Sequence, residues 1–161
     1  MNTETHTNKI DKTGFSMVEV LIVIAILAII ATAIIGPFAS FRNAQAIKNT
    51  NESIIALLNQ ARVKTLSSEN LLQYGVHLQA DKAILFSGTS YDVDASISEV
   101  VVSDSKISIN DISLAGGGYD VVFERLTGAT DNYGTLVVTL TDTSEGQKTI
   151  TIAKTGVVSS D

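Results

Sequence analysis

The sequence predicts an α+β fold, with a long N-terminal α-helix packed on a C-terminal antiparallel β-sheet domain. Three observations carry this expectation. Positions 20–35 hold no charged residue and are almost wholly apolar. From Phe41 to about Ser67 the apolar residues recur at three- and four-residue steps, the period of an amphipathic helix. From Leu71 onward the period becomes two, as in strands with one wet face. The chain has 161 residues, and about 95 remain after the helix, room for one small globular domain and no second core.

The first element is the apolar run 15–35, long enough to cross a bilayer, for which about 20 residues suffice. At its mouth stands Glu19. An ionisable side chain at membrane depth costs roughly 2.5–3.5 kcal/mol on insertion scales, so it is usually functional and usually partnered. No Lys or Arg lies between Phe15 and Phe41, so the run cannot supply the partner. A cut after Gly14 would create one: the new α-amino group of Phe15 would lie one helical turn from Glu19. In a bundle of such helices, one chain's amine can neutralise the next chain's carboxylate.

Gly14-Phe15-Ser16-Met17-Val18-Glu19, followed by Val20-Leu21-Ile22-Val23-Ile24-Ala25-Ile26-Leu27-Ala28-Ile29-Ile30, resembles the prepilin processing signature of type IV pilins and type II secretion pseudopilins. The resemblance implies that a membrane-embedded prepilin peptidase cuts after Gly14 and methylates Phe15, and that Glu19 guides assembly into a filament. It also implies partners: the peptidase, other pilins or pseudopilins through the N-terminal helix, an inner-membrane assembly platform, and membrane lipid. Gly36-Pro37 resembles the helix-weakening proline many pilins carry near the end of the apolar stretch. Pro37 removes a backbone donor and Gly36 lowers helix propensity, so a kink or a locally melted turn is expected there.

Two plainer readings compete. The run could be a simple signal anchor, or a secretory signal peptide ended at Ala44-Gln45-Ala46, which has the small-x-small form. A signal peptide has an apolar core of about 7–15 residues and a basic flank, whereas this core is longer and begins beside an acid. Lys9 and Lys12 are offset by Glu4 and Asp11, and Arg42 and Lys48 follow the run, so charge bias gives little orientation. The pilin resemblance places residues 1–14 in the cytoplasm as a leader that is removed. It makes 15–37 the transmembrane and assembly helix, 38–67 the amphipathic half, and 68–161 an extracytoplasmic β-rich head.

In the amphipathic half Phe41, Ala44, Ile47, Ile54, Leu58, Ala61 and Thr65 form the apolar stripe, with Arg42, Lys48, Glu52, Asn59 and Arg62 mostly between them. An unbroken helix from Ser16 to Ser67 would rise roughly 78 Å, more than a small core needs, so its first half must pack in a membrane or a polymer. Leu72, Tyr74, Val76 and Leu78 then alternate with Gln73, Gly75, His77 and Gln79, and with 83–86 they read as a hairpin. Further strands are expected at 97–102, 106–109, 119–124, 135–141 and 148–153. Tyr119, Val121 and Phe123 share one face, as do Leu136, Val138 and Leu140, and Ile150 and Ile152. Turns are marked by Ala115-Gly116-Gly117-Gly118, Asn132-Tyr133-Gly134 and Ser144-Glu145-Gly146.

The late-helix Ala61-Arg62, then Tyr74-Gly75-Val76, Leu85-Phe86, the glycine run before Val121-Val122-Phe123, and the closing Ile150-Thr151-Ile152-Ala153-Lys154-Thr155-Gly156 resemble the H-type minor pseudopilins and related minor pilins. Such proteins are thought to occupy a filament tip or to start assembly.

Catalytic chemistry finds no footing. Beyond the leader His77 is the only histidine, and its alternation puts it on the polar strand face, as a solvated residue. One histidine without cysteine makes neither a closed zinc site nor a base-nucleophile motif. No Gly-x-Ser-x-Gly elbow or phosphate-binding glycine loop occurs. The chain is expected to be a structural subunit rather than an enzyme, with no cofactor. Asp92-Val93-Asp94 with Glu99 offers carboxylates for Ca²⁺, which some pseudopilins hold in a loop, but the spacing fits no EF-hand and solvated acids explain it more simply. The formal charge of -6 argues against nucleic acid as a partner, although Arg62 and Lys64 could form a local basic patch for DNA uptake. The absence of cysteine departs from the many pilins that close a C-terminal loop with a disulfide.

Overall fold

The structure is a computed structural model that describes residues 14–93, 97–141 and 146–161, and within them leaves the side chains of 33–37, 39, 97 and 98 undescribed. The leader up to position 13, Asp94 of the acidic loop and positions 144 and 145 of the predicted 144–146 turn lie outside the described residues. The chain divides into two compact units, with the boundary after Ser40.

In the first unit the helix α1 (Met17–Leu66) begins. The Val20 N–H donates to the Ser16 carbonyl to close the first turn, and Glu19 stands in that turn, where a carboxylate complements the helix dipole. Every side chain described between positions 14 and 32 is exposed. Among the described residues no helix is long and apolar enough to cross a membrane; the described side chains of the apolar run end at Thr32. Backbone at positions 36 and 37 is helical, so a melted turn is not the form seen. A proline within a helix forfeits one hydrogen bond and strains its own turn, which neighbouring turns can still hold.

Among the described residues the second unit contains the rest of α1, a 3-10 turn (Glu69–Leu71) and eight strands: β1 (Tyr74–Leu78), β2 (Lys82–Ser87), β3 (Ile97–Val102), β4 (Ile107–Leu114), β5 (Asp120–Val122), β6 (Gly134–Leu140), β7 (Lys148–Ile152) and β8 (Val158–Ser160). They form two antiparallel four-stranded sheets, ordered β3-β2-β1-β5 and β4-β6-β7-β8. Ile47, Ile54, Leu57, Leu58 and Ala61 of α1 share one core with Val76, Leu78, Leu85, Val121 and Phe123 from the first sheet and Ile109, Leu136, Val138, Ile150 and Ile152 from the second. The α+β layering expected from the sequence is therefore present, built from two sheets.

The helix stripe is shifted from the one expected. Phe41 is 66% exposed and Ala44 is exposed, while Leu57 is buried, because the sheets reach the helix only from Ile47 onward. Thr50, Asn51 and Thr65 are buried polar residues on the same face. Two of them have definite partners. The Thr65 hydroxyl donates to the Ala61 carbonyl at 2.9 Å and accepts from the Tyr74 N–H at 2.9 Å, fastening the last turn of α1 to the start of β1. Asn51 accepts from the Ser160 hydroxyl at 3.1 Å, fastening β8 to the same helix. Among the described residues no buried side-chain polar atom lacks a partner, as a small core requires.

Four strands differ most from expectation, among them β5, expected over 119–124 and spanning only Asp120–Val122. β1 starts at Tyr74 rather than Leu72 because the 3-10 turn, with Asn70 and Leu71 at φ 52 and 58, interrupts the alternation. β4 runs five residues past Ile109 by inserting one extra residue: Asn110 pairs with Val137 and Ser113 with Thr135. A bulge of this kind breaks the period-two signal that sequence reading depends on. β8 is too short and too polar to announce itself.

Gly75 shows how closely the first sheet is packed. A Cβ there would lie 2.6 Å from Phe86 Cζ and 2.8 Å from the Val121 carbonyl oxygen, so the Phe86 ring lies over the glycine. Gly75→Ala must displace either the ring or the β5 backbone. It is expected to destabilise the protein by about 1–3 kcal/mol, read as a lower midpoint in far-UV circular dichroism during chemical denaturation.

Candidate functional site

Gly14, Phe15 and Glu19 belong to the first unit. Gly14 lies on non-helical backbone ahead of α1, and a Cβ added to it would meet nothing within 4 Å among the described residues. The fold of this chain therefore makes no demand for glycine at position 14; a demand for it must come from a molecule that handles the segment. Phe15 is 83% exposed, and Glu19 is exposed in the first turn of α1. A peptidase could reach the 14–15 bond without unfolding any packed structure. Gly36 and Pro37 lie on α1, remote in sequence from these three.

The second unit brings together groups that sequence reading kept apart. His77 is not simply a solvated strand residue. It is half-buried, its Nδ1 lies 2.5 Å from Asp120 Oδ1, and its ring stacks on Tyr91 with centroids 4.1 Å apart and planes within 10°. Asp120 Oδ2 accepts from the Tyr91 N–H at 3.1 Å, and Tyr119 meets the imidazole edge-on at 6.5 Å. A carboxylate can only accept, so Nδ1 carries a proton and neutral His77 keeps Nε2 as an acceptor. The alternation indicates which strand face His77 occupies but could not show that Asp120 of the neighbouring β5 stands directly opposite it or that Tyr91 stacks on its ring. Tyr119, expected beside Val121 and Phe123 in the core, is 57% exposed, since β5 begins one residue later.

Of the candidate calcium ligands, Asp92 and Glu99 are described. Glu99 accepts from the Gln60 amide at 2.9 Å, and Asp94 is outside the described residues. Among the described residues no group of three or more His, Cys, Asp or Glu side chains is placed to hold a metal ion.

The two candidate nucleic-acid cations are both occupied. Arg62 is half-buried and donates through Nε to the Gly128 carbonyl at 3.1 Å and through a terminal nitrogen to the Thr155 carbonyl at 3.3 Å. One guanidinium thus holds the turn after β5 and the turn between β7 and β8 against the end of α1. Lys64 pairs with Glu69 at 2.8 Å and lies 5.3 Å from the Tyr74 ring centroid. The hydrogen bond to Glu69 raises its pKa above the ordinary lysine value.

The N-terminal segment matches the family model described as the prokaryotic N-terminal methylation motif over residues 11–35. Comparison with curated protein sequences returns no match. Among solved structures, the fold resembles the crystal structure of the type IV minor pilin FimU of Pseudomonas aeruginosa strain PAO1 with a TM-score of 0.56 and 11% sequence identity, covering 71% of this chain and 91% of that one. At that identity the likeness is one of fold.

The two cations give separable predictions. Arg62→Gln removes charged hydrogen bonds to two turns, so a stability loss of about 1–3 kcal/mol is expected, measured by denaturant unfolding. Lys64→Ala is expected to change the midpoint little, because the pair is open to solvent. The stabilisation from a raised lysine pKa is fully present below the unfolded value and is lost as pH rises through the folded one. Wild type and Lys64→Ala should therefore differ equally at every neutral pH, the difference fading only in strongly alkaline solution.

Proposed function

We propose that the chain is a member of the type IV pilin superfamily and serves there as a structural subunit of minor-pilin type. In this reading it is made as a single-pass precursor in the cytoplasmic membrane, cut after Gly14 by a prepilin peptidase, methylated at Phe15, and drawn into a pilus-like filament through Glu19. The observation that carries it is the pairing of the 11–35 motif with a helix whose described side chains from Phe15 to Thr32 are all exposed. A contiguous apolar surface of that extent is stable only against lipid or other helices. A bundle of identical segments supplies the second environment, and a bilayer supplies the first.

The open backbone at Gly14 fits a substrate segment threaded into an enzyme. Gly36 and Pro37, helical here, fit a turn held weakly enough to adapt when the subunit leaves the membrane. Work by packing and one charge pair needs no cofactor, and an enzymatic role has no support among the described residues. The likeness to a minor pilin favours a pilus system; a pseudopilus of type II secretion, and with it the H-type affinity, is the alternative within the same mechanism. DNA capture is disfavoured, since Arg62 is engaged by two backbone carbonyls and Lys64 by Glu69.

Co-expression with a prepilin peptidase, followed by intact-mass measurement and N-terminal sequencing, is expected to yield a chain starting at methylated Phe15. A start at Met1 or Asn2 would sink the processing step. Gly14→Leu should block the cut while leaving the fold intact, because nothing packs on Gly14. Glu19→Ala should insert in the membrane and be cut, yet be recovered from sheared filaments at a small fraction of the wild-type level. Undiminished recovery would refute the charge-pair role.

A further inference from the structure

The second unit carries a groove of about 540 Å³ lined by His77, Gln79, Asn110, Asp111, Ile112 and Tyr119 over a floor that includes Leu78 and Ile109. Its walls come from different sheets. The Leu78 N–H donates to the Tyr119 carbonyl at 2.8 Å, and the Ile109 N–H donates to the Ala80 carbonyl at 2.9 Å, so backbone bonds fix the end of β1 against both β4 and the segment before β5. Asp111 sits in the extra residue pair of the β4 bulge with φ 48, a conformation rare outside glycine that bulges use to re-aim a side chain.

We propose that this groove receives an arginine side chain from the head of a neighbouring subunit. The lining contains one carboxylate, Asp111, and no lysine or arginine, and among the described residues Asp111 has no hydrogen-bonding or ionic partner. With Nδ1 committed to Asp120, His77 offers Nε2 as an acceptor, and Gln79 adds a side-chain carbonyl. The one carboxylate of the lining can only accept and has no lysine or arginine beside it, which favours a cationic donor. Tyr119, 57% exposed, supplies a flat π face. A guanidinium is the group that stacks on an aromatic ring while forking onto a carboxylate; an ammonium does the second only as a point charge. This inference rests on the filament reading for the identity of the neighbour, and on the groove alone for the chemistry.

The test uses the full chain in detergent micelles, with N-acetyl-arginine amide as probe and N-acetyl-citrulline amide as its uncharged isostere, followed by amide chemical shifts. Arginine amide is expected to bind saturably with a dissociation constant in the millimolar range, shifting residues 77–80, 109–112 and 119, while citrulline amide binds several-fold more weakly. Asp111→Asn, which tolerates the same backbone conformation, and Tyr119→Ser should each weaken binding several-fold with the spectrum otherwise folded. Equal binding of the two probes, shifts elsewhere, or no saturable shift would overturn the proposal. Loss of arginine binding in a chain that is still cut after Gly14 removes this contact alone. Arginine binding in a chain that is never cut leaves the groove and removes the filament as its setting.

Discussion

Ile47, Ile54, Leu57, Leu58, Ala61 and Thr65 of α1 form the surface on which both sheets close, and no other part of the second unit could replace it. Each large apolar side chain in that stripe contributes about 1.5–3 kcal/mol by leaving water. Isolated hairpins are marginal in water, and β5 and β8 have three residues each, so the sheets depend on a shared apolar face. Where the stripe must meet polar backbone, Thr65 and Asn51 supply the bonds that locate β1 and β8. Arg62, between them, holds two turns that are otherwise joined to the core only through short strands. Positions that look like ordinary amphipathic-helix polarity thus specify where the strands begin and end.

The same helix begins in a segment with the opposite character. From Phe15 to Thr32 nothing described is buried, although the composition there is more apolar than in the stripe. Sequence reading could tell the two halves apart because continuous and periodic hydrophobicity are distinct signals. It also found most strands, since Leu136, Val138, Ile150 and Ile152 alternate cleanly and are buried. It failed where a residue's role is set by something distant. Whether Phe41 is covered depends on where the sheets end; whether His77 is solvated depends on where Tyr91 and Asp120 fold back; and the groove exists because a bulge moves Asp111 out of register. None of these leaves a periodic trace.

Charge placement follows the same division. An acidic chain with a few basic residues late in its helix invites a search for a phosphate-binding patch, but a cation's availability is decided by its partners. Arg62 is engaged by carbonyls and Lys64 by Glu69, while Asp111 stands in a groove with no cation of its own. On the proposed reading the groove around Asp111 suits contact with a basic neighbour, and the acidic balance of the chain opposes contact with nucleic acid.

Glu19 remains the residue for which position in the fold and position in the matched N-terminal motif point to different roles. As the third residue of α1 it complements the exposed N–H groups of the first turn, an effect of about 0.3–1 kcal/mol at an exposed site. That is less than the roughly 2.5–3.5 kcal/mol that a carboxylate costs at membrane depth, so the helix dipole alone does not offset it there. Before a cut, the nitrogen of Phe15 is a neutral amide. After it, the nitrogen is an α-amine, a group that can carry a positive charge. On the proposed reading, pairing within one chain would neutralise Glu19 in the monomer and give it no cause to associate, whereas pairing between chains makes neutralisation depend on packing. Cleavage then turns a residue that burdens the precursor into half of a contact that only a second helix completes.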